Sequence, residues 1–338
     1  MIETNANKLG LDSDSKSEDI VIIENKLRPV TFDDFIGQED LKKNLDIAIK
    51  AALKRGEPLD HVLLHGVAGL GKTTLATVIA NGLGVSLKLS SGPALEKPGD
   101  LAAILSNLTS GDVFFIDEIH RLKPVVEEIL YTALEDFAID IVLGTGPSAR
   151  TVRLDLPHFT LIGATTKLNM ISSPLRDRFG SVFRLERYSP NDLCKIIERS
   201  AEILGCKIDG EASKVLSKSS RGTPRIANRL LKRVRDFVQV HSGGDLIENE
   251  ITKTALSELG LDDLGLDYAD RRLLEVIAHK FNGGPVGLST LAAALSEDLR
   301  TLEDIYEPFL IQLGFLERTN KGRIITARGF THLENVSK

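Results

Sequence analysis

The chain has no tryptophan, two methionines and two cysteines among 338 residues. Cys194 and Cys206 follow neither a metal-ligand nor a redox spacing, which sets aside a zinc ribbon, a dithiol catalyst and a disulfide framework and leaves two reduced thiols. No apolar run approaches the ~18 residues of a membrane span, and the N-terminus lacks a charged segment followed by an apolar one. A soluble, unexported protein is expected. A surplus of basic charge is also missing: 42 Lys and Arg stand against 48 Asp and Glu, a net charge of −6. No general basic coat for nucleic acid exists, so any contact with DNA has to be local. Internal repeats and low-complexity segments are absent. What is present is 42% hydrophobic residues, enough for a buried core in two or three domains.

Residues 1–25 open on a polar run with few large apolar groups and are expected to be a disordered leader. From 26 to 189, apolar runs of strand length alternate with helical patterns: His61–Leu64, a helix from Thr73, Val113–Ile116, a helix near Val125, then Phe159–Ile162. Continuous apolar strands separated by helices imply an α/β domain with a parallel sheet covered on both faces. Residues 190–264 read as helical only. Pro190-Asn191-Asp192 starts one helix, and Gly222-Thr223-Pro224 starts another whose Ile226, Leu230, Leu231, Val234 and Val238 share a face. Residues 265–338 read as three helices and a hairpin turning at Asn320-Lys321-Gly322, a winged-helix pattern.

The chemistry concentrates in the first domain. Gly66-Val67-Ala68-Gly69-Leu70-Gly71-Lys72-Thr73 fits the phosphate-binding loop, directly after an apolar strand and before a helix. Its glycines let backbone N–H groups converge on phosphate oxygens at a helix N-terminus. Lys72 adds a point charge, and the Thr73 hydroxyl can ligate Mg²⁺. The next apolar strand ends in Asp117-Glu118, read as Asp117 holding the metal's water shell and Glu118 activating the attacking water. A helix cap is the plainer alternative for this pair. The third strand ends in Ala164-Thr165-Thr166, a polar pair where a γ-phosphate sensor would lie, with an ordinary strand-end threonine as the plainer alternative and Thr166 the candidate. Ser172-Ser173-Pro174-Leu175-Arg176-Asp177-Arg178-Phe179-Gly180 carries two arginines around a carboxylate in a turn, either solvated or waiting for an anion. Arg225 follows Thr223-Pro224 at a helix start, where the dipole disfavours a cation and an anion contact would explain it.

Taken together, "LRPVTFDDFIGQ" at 27–38, the phosphate loop, "DEIHRL" at 117–122, "EDF" at 135–137, "LIGATT" at 161–166, "PLRDRFG" at 174–180 and "GTPRIANRLLKRVRDF" at 222–237 resemble the RuvB family. These are AAA+ motors that drive Holliday junction branch migration in the bacterial cytoplasm. The resemblance implies an AAA+ P-loop ATPase domain, a small helical lid and a C-terminal winged helix. It implies ATP and Mg²⁺ as cofactors, with Leu27, Arg28 and Tyr188 at the adenine and Gly69, Gly71, Lys72, Thr73 and Thr74 at the phosphates. Glu135, Asp136, Phe137 and the lid residue Arg225 join the nucleotide site by the same resemblance. Thr73 and Asp117 would hold the metal, and Arg178 would be an arginine finger reaching into a neighbour's site in a homohexamer. Hairpin 139–156 would dock on RuvA, RuvC would complete the machine, and Arg318, Arg323 and Arg300 would meet duplex or junction DNA.

Three departures from the family pattern stand out. Val67-Ala68 replaces two prolines, Lys167-Leu168-Asn169 replaces Arg-Ala-Gly, and Leu299 stands where a DNA-contacting arginine is usual, with Arg300 beside it. Two other readings share parts of the pattern. A clamp loader or protein unfoldase would carry Ser-Arg-Cys at the finger or an aromatic-glycine pore loop, and a non-catalytic DNA-binding regulator would have no use for Glu118. Period-2 alternation further predicts Ile139, Ile141 and Leu143 on one side of the exposed hairpin, either packed on their own domain or reserved for a partner.

Overall fold

The structure, a computed structural model, describes residues 26–143 and 150–336. The leader 1–25 and the hairpin tip 144–149 lie outside the described residues, as do the side chains of Ile141 and Leu143. The chain divides into two compact units, one running to Asp192 and taking in Thr223–Arg225, the other comprising Leu193–Gly222 and Ile226 onward.

In the first unit, helix α1 (Glu39–Arg55) precedes strand β1 (Val62–His65), α2 (Lys72–Leu83), β2 (Leu87–Ser91) and α3 (Pro98–Leu105). Then come β3 (Val113–Asp117), α4 (Pro124–Glu135), the hairpin strands β4 (Ala138–Leu143) and β5 (Arg150–Asp155), β6 (Thr160–Thr165), the single turn α5 (Ser173–Arg176) and β7 (Ser181–Arg184). The main sheet has the order β2-β3-β6-β1-β7, and every pairing in it is parallel. The three strands read from the sequence lie side by side at its centre, where both faces are covered and an uninterrupted apolar run is the expected signature. The two edge strands escaped that reading because neither carries a buried apolar run: Val182 is 43% exposed and Leu89 58%. Phe114, Ile116, Leu63, Leu161, Leu101 and Leu130 fill one cluster beneath the sheet. Each large side chain so buried contributes about 1.5–3 kcal/mol.

The topology decides where the chemistry goes. Because β6 lies between β1 and β3, the segments following all three strands emerge at one carboxyl edge, the usual ligand edge of a parallel sheet. His65 pairs with Thr165 and Ile116 with Gly163, so the phosphate loop, Asp117 and Thr165–Thr166 start level with one another.

The second unit holds α6 (Pro190–Ile203), whose first three residues belong to the first unit, and β8 (Lys207–Ile208), α7 (Gly210–Ser219), α8 (Pro224–His241), β9 (Leu246–Ile247) and α9 (Asn249–Glu258). The short parallel β8–β9 pair corrects the all-helical reading of 190–264; two residues per strand leave no periodicity to detect. Beyond it follow α10 (Tyr268–Glu275), α11 (Leu288–Leu295), α12 (Leu299–Thr301), α13 (Glu307–Gln312), β10 (Leu316–Thr319), β11 (Gly322–Ile325) and α14 (Ala327–Val336). Leu273, Ile277, Leu291, Leu302, Leu310, Phe315 and Ile325 form the core of this winged helix. The final helix, which the sequence reading did not include, adds Leu333 to that core.

A buried ionic knot joins the two halves of the second unit. Arg221, in left-handed backbone at φ 52°, donates to Asp270 at 2.6 Å, to Asp267 at 3.2 Å and to the Gly265 carbonyl at 3.0 Å. Its guanidinium lies 4.7 Å from the centre of the Phe309 ring. Asp270 is fully buried, and burial pushes its carboxyl up to about 6 even with Arg221 opposing the shift.

Candidate active site

The phosphate loop owes its path to glycine at specific points. Gly66, Gly69 and Gly71 have φ of 149°, 84° and 96°, and a side chain on Gly66 would come within 2.7 Å of the Leu185 carbonyl. Val67-Ala68 sustains the same kind of loop without proline. The Lys72 ammonium donates to the carbonyls of Gly66 at 2.8 Å and Val67 at 3.1 Å, which holds the lysine across the loop. Lys72 is buried, and burial lowers its pKa while Glu118 and Asp117 pull it back toward the charged form.

Across the sheet edge, the Thr73 hydroxyl donates to Asp117 Oδ2 at 3.4 Å, and the Glu118 amide donates to Asp117 Oδ1 at 2.9 Å. Glu118 occupies left-handed backbone, φ 47° and ψ 46°, an uncommon conformation for a side-chain-bearing residue and one that clusters at functional sites. A side chain on Gly92 would meet the Glu118 carbonyl at 2.5 Å, so that glycine allows the tight passage. The Thr166 hydroxyl donates to Glu118 Oε2 at 3.1 Å. No side-chain cap bond forms at Glu118, so the helix-cap alternative for the pair is not what the structure displays.

Arg225 reaches the same place. Its amide donates to the Gly69 carbonyl at 3.4 Å, and a side chain on Gly69 would approach Arg225 Cβ to 3.1 Å. Tyr188 is buried beside the loop, its hydroxyl donating to the Leu70 carbonyl at 3.2 Å and its ring closing on Gly37. Burial raises the Tyr188 pKa and keeps the phenol neutral. Thr74 sits in the first turn of α2; Leu27 is buried and Arg28 exposed.

Other expected residues gather elsewhere. Arg178 pairs with Glu135 at 2.8 Å, donates to the Pro174 carbonyl at 2.6 Å and lies 4.8 Å from the centre of the Tyr131 ring. Its Nε is buried and lacks a hydrogen-bond partner. Asp136 pairs with Arg153 at 3.0 Å, while Phe137 packs on His158 with ring centres 4.1 Å apart. The ion pairs and ring contacts of Glu135, Asp136 and Phe137 thus run to Arg178, Arg153, His61, His158 and Phe159.

In the winged helix the expectation for Arg323 is corrected. Its guanidinium is buried and forms a two-pronged pair with Glu307 at 2.6 and 3.1 Å, Glu307 being only 2% exposed. A phosphate on the wing surface does not meet a group so placed, and the ion pair explains why a buried strand position tolerates arginine. Arg318 is solvent-facing and pairs with Glu303 at 3.0 Å; Arg300, Lys321 and Leu299 are exposed. The hairpin expectation also changes at its base: Ile139 is 1% exposed and belongs to the first unit's core, while Leu154 opposite it is 36% exposed and Val152 46%.

His120 escaped the sequence reading, and Thr165 entered it only as one of the polar pair at the strand end. The His120 ring nitrogen Nδ1 stands 3.2 Å from Glu118 Oε2 and 2.9 Å from Thr165 Oγ1. Both residues lay inside quoted motifs, but no spacing rule assigns them a role.

Three family models match the chain in succession: the Holliday junction DNA helicase RuvB P-loop domain over 27–185, the RuvB AAA lid domain over 188–262 and the RuvB C-terminal winged helix domain over 263–334. Among solved structures, the Thermotoga maritima RuvB Holliday junction branch migration motor is 49% identical, with 91% of this chain and 98% of that one aligned at a TM-score of 0.82. The chain belongs to the RuvB family. A lysine-to-arginine variant of the Thermotoga maritima RuvB matches at 50% identity with the same coverage and TM-score, and an alanine-to-serine variant at 50% with a TM-score of 0.83. RuvB membership makes the chain a nucleotide-binding AAA+ ATPase of the helicase-type motor class, with the parallel-sheet, lid and winged-helix parts described above. No described helix is long and apolar enough to cross a membrane.

Proposed function

We propose that this chain is the ATP-driven motor that moves Holliday junctions in recombination and repair, acting in the bacterial cytoplasm as a six-membered ring with RuvA and RuvC. The observation that carries the reading is the convergence of Lys72, Thr73, Asp117, Glu118, Thr166 and Arg225 on one sheet edge, while Arg178 makes its contacts apart from them. The residues fit ATP: a glycine-shaped loop at a helix N-terminus cradles phosphates, and Lys72 and Arg225 offset their charge. Thr73 and Asp117 would hold Mg²⁺, which neutralises phosphate charge when bound. Glu118 accepts a proton from the attacking water, and Thr166 keeps that carboxylate in place.

Arg178, with its unsatisfied Nε, supplies positive charge to a neighbouring copy's ATP, and Glu135, Asp136 and Phe137 accompany it on the same face. An arginine finger given in trans contributes ~10³ to 10⁵ in rate. RuvA docks on hairpin 139–156 through exposed Val152 and Leu154, and Arg318, Arg300 and Lys321 lie along the DNA backbone, which attracts cations without reading sequence.

ATP turnover measured with and without four-way junction DNA, alongside unwinding of a labelled junction in the presence of RuvA, tests this reading. The parent should turn over faster with the junction and resolve it. Lys72→Ala should lose nucleotide binding, and Glu118→Gln should bind ATP yet scarcely hydrolyse it. Junction movement by Glu118→Gln at the parent's rate would sink the assignment.

A further inference from the structure

We infer that His120 is a positioning residue for ATP hydrolysis, steadying the Glu118 carboxylate through the close approach of Nδ1–H to Oε2, an N–H it shares with Thr165 Oγ1. The inference rests on Glu118 being the base. Four contacts lead to it. Glu118 Oε2 receives the Thr166 hydroxyl at 3.1 Å and lies 3.2 Å from His120 Nδ1; the same nitrogen is 2.9 Å from Thr165 Oγ1, which accepts the Lys167 amide at 2.9 Å. An ionised carboxylate only accepts, so the contact with Oε2 is attractive only when Nδ1 carries a hydrogen. The His120 side chain is 6% exposed. Burial, aided by Lys167 and Arg121, lowers its pKa against the pull of Glu118, which favours a neutral ring with its one hydrogen on Nδ1.

Local backbone explains how a residue two positions after the base can turn back onto it. The left-handed Glu118 leads into a 3-10 turn, Ile119–Arg121, closed by the Arg121 amide donating to the Glu118 carbonyl at 2.9 Å. The turn places the imidazole between the two neighbouring strand ends, with Thr165 of β6 on one side and Glu118 after β3 on the other. Thr166 and His120 therefore converge on one oxygen from different segments. The Thr166 hydroxyl bonded to Oε2 and the Nδ1–H facing the same oxygen set the carboxylate's rotation about its own axis and assign Oε1 to the water. With Oε2 held by one donor alone, the carboxylate swings, and misplacing a reacting group by about 1 Å costs on the order of 10²-fold in rate.

Three substitutions separate this role from plain packing. The amide nitrogen of His120→Asn falls near Nδ1, that of His120→Gln near Nε2, and His120→Ala has no donor. His120→Ala and His120→Gln should lose roughly 10- to 100-fold in kcat. Their KM for ATP, fluorescent-nucleotide affinity and thermal midpoint should stay near the parent's, and His120→Asn should recover most of the rate. In a Glu118→Gln background, His120→Ala should bring no further loss. Nitrogen NMR of the labelled parent should show His120 with hydrogen on Nδ1. Parent-like kcat in His120→Ala, equal failure of Asn and Ala, or a bare Nδ1 would overturn the positioning role. If Glu118→Gln hydrolysed at the parent's rate, the base assignment itself would fall and the inference with it; an inactive Glu118→Gln beside a fully active His120→Ala would remove the inference alone.

Discussion

Arg323 shows what a single residue's surroundings can overrule. The family resemblance implied a DNA contact for it, but its guanidinium is enclosed with Glu307. Arg323→Ala should therefore cost about 3–5 kcal/mol of winged-helix stability by stranding Glu307, and the paired change Arg323→Met with Glu307→Leu should recover much of it. Chemical denaturation of the two variants beside the parent reads this directly. Arg318→Ala should behave in the opposite way, leaving stability unchanged while lowering the salt slope of duplex binding by ~1. Asp270 adds a pH signature. Its folded carboxyl titrates near about 6 rather than the ordinary 3.8, so between those values the folded state binds the extra proton and loses relative stability as pH rises. Asparagine at that position cannot titrate. The destabilisation caused by Asp270→Asn should thus shrink as the pH is raised from about 4 to about 7, and denaturation midpoints at the two ends measure it.

At the scale of elements, the hairpin 139–156 divides into a base that belongs to the fold and a face that does not. Ile139→Ser should destabilise the ATPase unit, by on the order of 2–4 kcal/mol, since it removes a fully buried aliphatic group and buries a hydroxyl. Val152→Ser with Leu154→Ser should leave stability and basal ATP turnover near the parent's and weaken RuvA association, as a pull-down or titration would report. The contrast also shows how far sequence reading carries. Three central strands were legible because covered strands are uninterrupted apolar runs, and the phosphate loop because its glycines have fixed spacing. The short edge strand Ser181–Arg184 and the two-residue pair Lys207–Ile208 and Leu246–Ile247 were not, for want of a distinguishing period. Within the site, Lys72, Asp117, Glu118 and Thr166 were legible as strand-end and loop residues. His120 was not, because only the left-handed turn at Glu118 brings it back onto the carboxylate. The depth of Arg323 was equally hidden, since Glu307 lies on a separate helix sixteen residues earlier.

For the whole molecule, the proposed function has an acidic chain act on DNA through local cations and power that action at a site that a neighbouring copy completes. In that proposal the chain's own residues bind and orient ATP and the water, and the positive charge carried by Arg178 goes to the neighbouring copy. The measurement that tests this most directly is ATP turnover in mixtures of two inactive variants, Arg178→Ala and Lys72→Ala. Each should be nearly silent by itself. Mixed, a Lys72→Ala subunit should lend its intact Arg178 to the intact site of an Arg178→Ala neighbour, so turnover should rise to a maximum at intermediate ratios. Turnover that stays at the level of the separate variants at every ratio, or an Arg178→Ala protein that hydrolyses ATP as fast as the parent, would contradict the account.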